Sequence, residues 1–170
     1  MPGDDRTGPD RSVHAIVLTG AGSRAFSASL DLKELGADIG SLGGTKTRTE
    51  NDDPVAAIAS CPQPVIGAIN GVAITGGFEL ALACDILIAS TNARFADTHA
   101  RVGIMPGWGL SQKLSRIVGL SRAKEISLTG NFVTAEQALD WGWSTMSSRP
   151  THFCRRPGPS LATLRVLHLR

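Results

Sequence analysis

Apolar residues fall into short runs separated by turn-forming residues. Val13-His14-Ala15-Ile16-Val17-Leu18 is apolar at all but one position and is stopped by Thr19-Gly20, the pattern of a strand buried on both faces. A second strand is predicted over 64–70, closed by Gly71. Between them Pro54 opens a short apolar helix, Val55 to Ser60, because proline is tolerated in a first helical turn. Over 73–90, Thr75-Gly76-Gly77 leads into Phe78-Glu79-Leu80-Ala81-Leu82-Ala83, and Cys84-Asp85-Ile86-Leu87-Ile88-Ala89 follows, which parses as helix and then strand. Leu114, Ile117 and Val118 mark one face of a helix from about Ser111 to Val118, with Gly119 as its stop. Two further helices are predicted, Ser121 to Leu128 with Ser121 as N-cap, and Thr134 as N-cap to Asp140. Buried strands alternating with helices give an α/β fold with parallel strands.

The stretch from 36 to 53 breaks this rhythm. It holds four glycines and the charged residues Lys46, Arg48, Glu50, Asp52 and Asp53 without a sustained apolar period, and is expected to be a mobile surface loop.

Composition narrows the class. A chain of 170 residues, 42% apolar, is one domain's worth of sequence with enough apolar residues for a core. No apolar run is long enough to span a membrane and no apolar leader opens the chain, so a cytoplasmic protein is expected. Cys61, Cys84 and Cys154 have neither zinc-ligand spacing nor an even number, and are expected to be reduced thiols. The net charge of +2 conceals an asymmetry. Residues 1–140 carry 12 basic against 15 acidic side chains, whereas 141–170 carry five arginines and no acid. That tail has no lysine and no regular spacing, so no nucleic-acid role is assigned to it.

Two glycine-rich turns are candidates for chemistry. Gly20-Ala21-Gly22-Ser23-Arg24-Ala25 follows a strand and fits G-x-G-x-x-A, but a dinucleotide site also needs a long helix and a later acidic residue. Here a plain turn is the simpler reading. Thr75-Gly76-Gly77 is more informative, because adjacent glycines admit close backbone approach and a helix start favours negative charge. Glu79 follows in the same helix among Phe78, Leu80, Ala81 and Leu82, which points to a buried carboxylate suited to proton transfer. His99 lies between Asp97-Thr98 and Arg101, and a lone histidine of this kind is more often packed than catalytic. Met105-Pro106-Gly107-Trp108-Gly109 reads as a turn into the next helix.

Taken together, Ala25-Phe26-Ser27-Ala28-Ser29-Leu30-Asp31-Leu32-Lys33-Glu34-Leu35, Ala68-Ile69-Asn70-Gly71-Val72-Ala73, Gly76-Gly77-Phe78-Glu79-Leu80-Ala81, Cys84-Asp85 and Gly103-Ile104-Met105-Pro106-Gly107 resemble the crotonase superfamily, the enoyl-CoA hydratase/isomerase fold. The resemblance implies a crotonase-like spiral of ββα repeats, with an incomplete N-terminal part and without the C-terminal helices. It also implies stabilisation of a thioester enolate by the backbone N–H groups of Leu30 and Gly76. Ala28, Leu30, Asp31, Leu32, Lys33, Gly76 and Gly77 would contact an acyl-CoA, so coenzyme A arrives as part of the substrate and no metal or redox cofactor is implied. Glu79 matches the first of two glutamates that hold water in family hydratases, and the second position is His99. An imidazole transfers protons near neutral pH but lacks a carboxylate's two acceptor oxygens. Hydration is therefore expected to be weakened, while isomerisation, which needs one well-placed base, stays open. Ser29 stands where glycine is usual. A homotrimer or hexamer is the family habit. A catalytically silent fragment and a dinucleotide-binding oxidoreductase are the alternatives.

The expected organisation is a disordered segment at 1–12, a core domain at 13–142 and an arginine-rich, disordered tail at 143–170. The family would continue past Gly142 with Leu-Val-Asn and a Val-Val-Pro-like strand, whereas this chain reads Trp143-Ser144-Thr145-Met146-Ser147-Ser148-Arg149-Pro150-Thr151-His152. Those residues can be written TGG TCA ACC ATG TCG TCG CGC CCG ACG CAC. Read one base earlier, with C as that base, the run encodes Leu-Val-Asn-His-Val-Val-Ala-Pro-Asp. Only Trp and Met have single codons and the others are chosen among synonyms, so a one-base frame shift after Gly142 is a hypothesis for the tail that sequencing the gene tests: codons compatible with the alternative frame are expected, and codons that cannot yield it would end the idea.

Overall fold

A computed structural model of the protein describes residues 13–28, 53–144, 146–148 and 164–169. The segment 1–12 and nearly all of the expected surface loop lie outside the described residues.

The first apolar run forms strand β1 (Ala15–Gly20), and the second apolar strand is β3 (Val65–Ile69), paired with β1 in parallel with Ile16 opposite Val65. Strand β5 (Ile86–Ser90) adds to the far side of β3, again in parallel. Between these long strands come short ones: β2 (Ala25–Ser27), β4 (Val72–Ile74) and β6 (Arg94–Ala96). They pair with one another in a second sheet, completed by the antiparallel β7 (Val133–Thr134), in the order β2-β4-β6-β7. A strand of three residues is too short to show an alternating pattern, so these were invisible to periodicity. Each repeat sends its first strand to the large sheet and its second to the small one. A helix then follows, α2 (Gly76–Ala83) after β4 and α3 (His99–Val102) after β6. This is the expected ββα spiral.

The helix boundaries have local causes. Helix α1 (Pro54–Ala59) starts where Asp53 Oδ1 accepts the N–H groups of Val55 and Ala56 at 2.9 and 3.0 Å. Helices α4 (Leu110–Val118) and α5 (Leu120–Thr129) meet at Gly119, whose φ of 80° breaks the helical path. Ser121 was expected to cap α5, but Gly119 occupies that position and Ser121 lies within the first turn. The glycine both ends α4 and begins α5, leaving no separate linker. Helix α6 (Ala135–Asp140) has the expected Thr134 cap, closed reciprocally by Gln137.

Helix α2 runs through the core. Every residue from Gly76 to Leu82 is buried, as a helix apolar on all sides must be. Phe78 packs against Phe95 and Trp143 with ring centroids 5.6 and 5.3 Å apart, and Trp143 meets Phe95 edge-on at 5.5 Å.

The expected boundary at 142 is therefore too early: Trp143 and Ser144 are buried. The expected tail is also not uniform. Strand β8 (Met146–Ser148) pairs with β5, and β9 (Leu164–Leu169) pairs with β1, both in parallel, giving the order β8-β5-β3-β1-β9. Open edges of a parallel sheet offer unpaired N–H and C=O groups, and apolar segments satisfy them. Among the described residues no helix is long and apolar enough to cross a membrane.

The Trp143 indole N–H is buried with no hydrogen-bond partner among the described residues. Trp143→Ala is expected to lower stability by about 3–5 kcal/mol by opening a cavity between the two phenylalanines. Trp143→Phe should cost less than about 2 kcal/mol, because it also removes the unpaired N–H. Urea unfolding of the three proteins measures both.

Candidate active site

The glycine-rich turn after β1 leads into strand β2, with no helix. Asn70, at the end of β3, holds it: Oδ1 accepts the Gly20 N–H at 3.1 Å, while Nδ2 donates to the carbonyls of Gly20 at 3.1 Å and Gly22 at 2.8 Å. A Cβ on Gly20 would lie 2.1 Å from the Ala25 carbonyl oxygen. Gly20 serves a tight backbone crossing and Gly22 a turn at φ 81°, and a strand instead of a long helix follows, so the dinucleotide alternative loses its structural basis. The turn delivers β2 to the start of α2, where a Cβ on Gly77 would lie 2.1 Å from the carbonyl oxygen of Ser27. The strand end and the helix start thus touch backbone to backbone.

The residue before α2 is strained. Thr75 has φ 53° and ψ −121°, a conformation that glycine adopts readily and that costs a β-branched residue about 1–3 kcal/mol. Its surroundings hold it there. The Thr75 N–H donates to the Ala96 carbonyl, its carbonyl accepts from Phe78 and Glu79, and its hydroxyl bonds that of Thr98. The first N–H groups of a helix have no intrahelical partner. Gly76 is the first residue of α2 and is buried, and no backbone hydrogen bond of its N–H to another described residue is present outside the helix.

Glu79 follows one turn later and is only 2% exposed. Its Oε1 accepts the backbone N–H groups of Trp108 at 2.7 Å and Leu110 at 3.2 Å. The Met105–Gly109 turn positions those donors, with Gly109 at φ 90° immediately before α4. A side chain from one helix thereby caps the start of another. Oε2 is left facing His99, whose Nε2 lies 3.5 Å away. His99 is 4% exposed, and its Nδ1 is 2.7 Å from Asp97 Oδ1. Asp97 Oδ1 also accepts the His99 backbone N–H at 3.1 Å, which fixes the turn from β6 into α3. Three buried titratable groups therefore form one line, Asp97–His99–Glu79.

The structure places Gly76, Gly77 and Glu79 on α2 and His99 at the start of α3, with His99 Nε2 3.5 Å from Glu79 Oε2. Ala28 is exposed just past β2, while Ser29, Leu30, Asp31, Leu32 and Lys33 lie outside the described residues. Three contributors were missed. Asn70 and the Trp108–Leu110 amides carry no signal of their own in a single sequence, but the Asp-x-His spacing did, since a carboxylate two residues before a histidine reaches both its amide and its ring.

Arg101 takes no part, donating instead to the Thr129 carbonyl and Asn131 Oδ1 at the end of α5. Glu79 and Asp97 flank opposite nitrogens of one ring, and no group of three or more His, Cys, Asp or Glu among the described residues is arranged to hold a metal ion. Burial pushes the Cys84 thiol up to about 12, helped by the neighbouring Asp85 carboxylate, so Cys84 remains a neutral core thiol and not a nucleophile.

Comparison with known proteins bears on this geometry. The family profile described as enoyl-CoA hydratase/isomerase matches residues 6–146. A protein of Arabidopsis thaliana named probable enoyl-CoA hydratase 1, peroxisomal, is 53% identical over 134 residues, which are 79% of this chain and 49% of that protein. A short-chain-enoyl-CoA hydratase of Clostridium acetobutylicum is 40% identical over 133 residues, 78% of this chain and 51% of that one. The chain spans about half the length of the curated relatives it matches. Among solved structures, an enoyl-CoA hydratase from Mycobacterium avium superposes with a TM-score of 0.68 at 46% identity, covering 82% of this chain and 55% of that one. One from Mycobacterium tuberculosis gives 0.70 at 44% identity, covering 85% and 58%.

The double use of Glu79 separates two substitutions. Glu79→Ala strands two amide donors and is expected to destabilise the protein by about 2–4 kcal/mol. Glu79→Gln keeps an acceptor at Oε1 and should stay within about 1 kcal/mol of the parent. Thermal unfolding of the two variants provides the check.

Proposed function

Because the chain belongs to the enoyl-CoA hydratase/isomerase family, we propose that it acts on an enoyl-CoA thioester through an enolate held by the N–H groups of Gly76 and Leu30, with Glu79 and His99 handling the protons. One observation carries this reading: Glu79 Oε2 and His99 Nε2 face each other 3.5 Å apart, one helical turn from the Gly76 N–H at the start of α2. Leu30 enters by resemblance, and the contact of Ser27 with Gly77 supports it, since Leu30 follows Ser27 by three positions.

Hydration follows from these groups. A water held by Oε2 and Nε2 adds its oxygen to C3 of the enoyl group and gives up a proton to one of those two atoms. Electron density moves from the double bond to the thioester oxygen, where two pre-aimed dipoles stabilise it at no reorganisation cost. The enolate then collapses as C2 takes a proton, which returns the site to its starting state. No proton or electron is left over.

Isomerisation is the second reading, favoured by the commitment of Oε1 to two amides. That leaves Glu79 one free oxygen, and His99 supplies a single ring nitrogen in place of a second carboxylate. The same enolate then arises by removing a proton from one carbon and returning it to another. The trimer or hexamer expected from the resemblance would cover Leu120, Leu128 and Phe132, which are exposed on and beside α5.

Purified protein with crotonyl-CoA is expected to lose enoyl absorbance, and a 3-enoyl-CoA to gain conjugated absorbance if isomerisation dominates. Glu79→Gln should lower kcat by about a hundred-fold or more, the usual contribution of a positioned acid or base. Folded wild-type protein that turns over neither substrate would favour the catalytically silent alternative.

A further inference from the structure

Asp97 is the buried titratable group for which the proposed chemistry has no use. It is 2% exposed, and no lysine or arginine pairs with it among the described residues. A turn into a short helix needs only an acceptor at this position, and a neutral Asn or Ser supplies one. Burying a carboxylate costs more than burying either, unless its charge is used. Among the described residues the group placed to use it is the imidazole of His99. Asp97 Oδ1 lies 2.7 Å from Nδ1, while the opposite ring nitrogen faces Glu79 Oε2 at 3.5 Å.

We propose that Asp97 is a positioning residue that fixes His99 as the Nδ1–H tautomer and holds Nε2 toward Glu79 and the reacting carbon. A carboxylate is acceptor-only, so the ring nitrogen it contacts carries the hydrogen. That leaves Nε2 as the nitrogen that exchanges a proton with Oε2 or with substrate, while the Nδ1 proton stays in place throughout. The orienting bond thus selects which nitrogen does the work, as in other histidines backed by a carboxylate. At 3.5 Å Nε2 and Oε2 are too far apart for a good direct hydrogen bond and close enough that one water lying to one side of them can bond to both. The catalytic use of this arrangement rests on the enoyl-thioester reading, whereas the tautomer itself does not.

The test is nuclear magnetic resonance of the resting protein labelled with 15N-histidine, the His99 ring signals being assigned by their loss in His99→Gln. Wild type is expected to show Nδ1 protonated, and Asp97→Ala to shift His99 toward the Nε2–H form. With enoyl substrate, Asp97→Ala should lower kcat about ten-fold or more while KM stays within about two-fold. Asp97→Asn keeps nearly the same volume and an acceptor for the turn, so it should fold where the alanine variant fails; its amide NH2 can donate to Nδ1, so His99 is expected to shift toward the Nε2–H form and the rate to fall as in the alanine variant. A wild-type His99 with bare Nδ1, an unchanged tautomer in Asp97→Ala, or a loss carried by KM alone overturns the proposal. Protein that shows the Nδ1–H form but turns over no enoyl-CoA defeats the enzymatic reading and leaves the positioning role standing.

Discussion

The carboxylate of Glu79 joins the two halves of the site. Oε1 accepts the amides that open α4, and Oε2 looks toward His99, so one side chain locks a core helix to the following turn and presents its remaining oxygen to the imidazole. The apolar packing of α2 makes this a rigid arrangement. Phe78 on the same helix is wedged among Phe95 and Trp143, so rotation of α2 that would swing Oε2 away would also break the aromatic contacts. Packing therefore sets the direction of the carboxylate, and hydrogen bonding sets which of its oxygens is free.

The division of strands between two sheets explains how distant residues converge. Glu79 follows β4, and Asp97 and His99 follow β6; these neighbouring strands pair in register with Ile74 opposite Ala96. Successive repeats thus place equivalent positions side by side, and residues twenty apart in sequence meet. The strained Thr75 belongs to the same construction. Its N–H reaches across to Ala96 and its hydroxyl to Thr98, so the segment that carries His99 also holds the start of α2 in its unusual conformation.

Strands β1, β3 and β5 and helices α2, α4 and α6 were legible because each has enough residues to show a period, a cap or a stop, such as Thr134 with Gln137 or Gly119 after Val118. The second sheet was not, since β2, β4 and β6 are each three residues long and bounded by turns that mask their alternation. Gly76 and Glu79 could be read from the residues themselves, whereas His99 gained weight only through the motif spacing. Asp97 was signalled only by its spacing from His99, and the direction of the ring it meets is fixed by packing. Beyond Gly142 the sequence suggested a uniform tail. Trp143 contradicts that, because an aromatic placed next to the end of α6 finds Phe78 and Phe95 whatever its origin.

The contact between the Ser27 carbonyl and Gly77 has a consequence for how such a protein can diversify. It is made entirely by main-chain atoms, so the separation of the β2 end from the α2 start is indifferent to every side chain around it except the absent one at Gly77. Exchanges at surrounding positions can reshape the space beside the junction while the backbone at the start of α2 keeps its aim. A single methyl group at position 77 would end that freedom. A lineage built on this junction is thus free to change its diet but not its hinge of backbone, and Gly77 is the site where drift should be least tolerated.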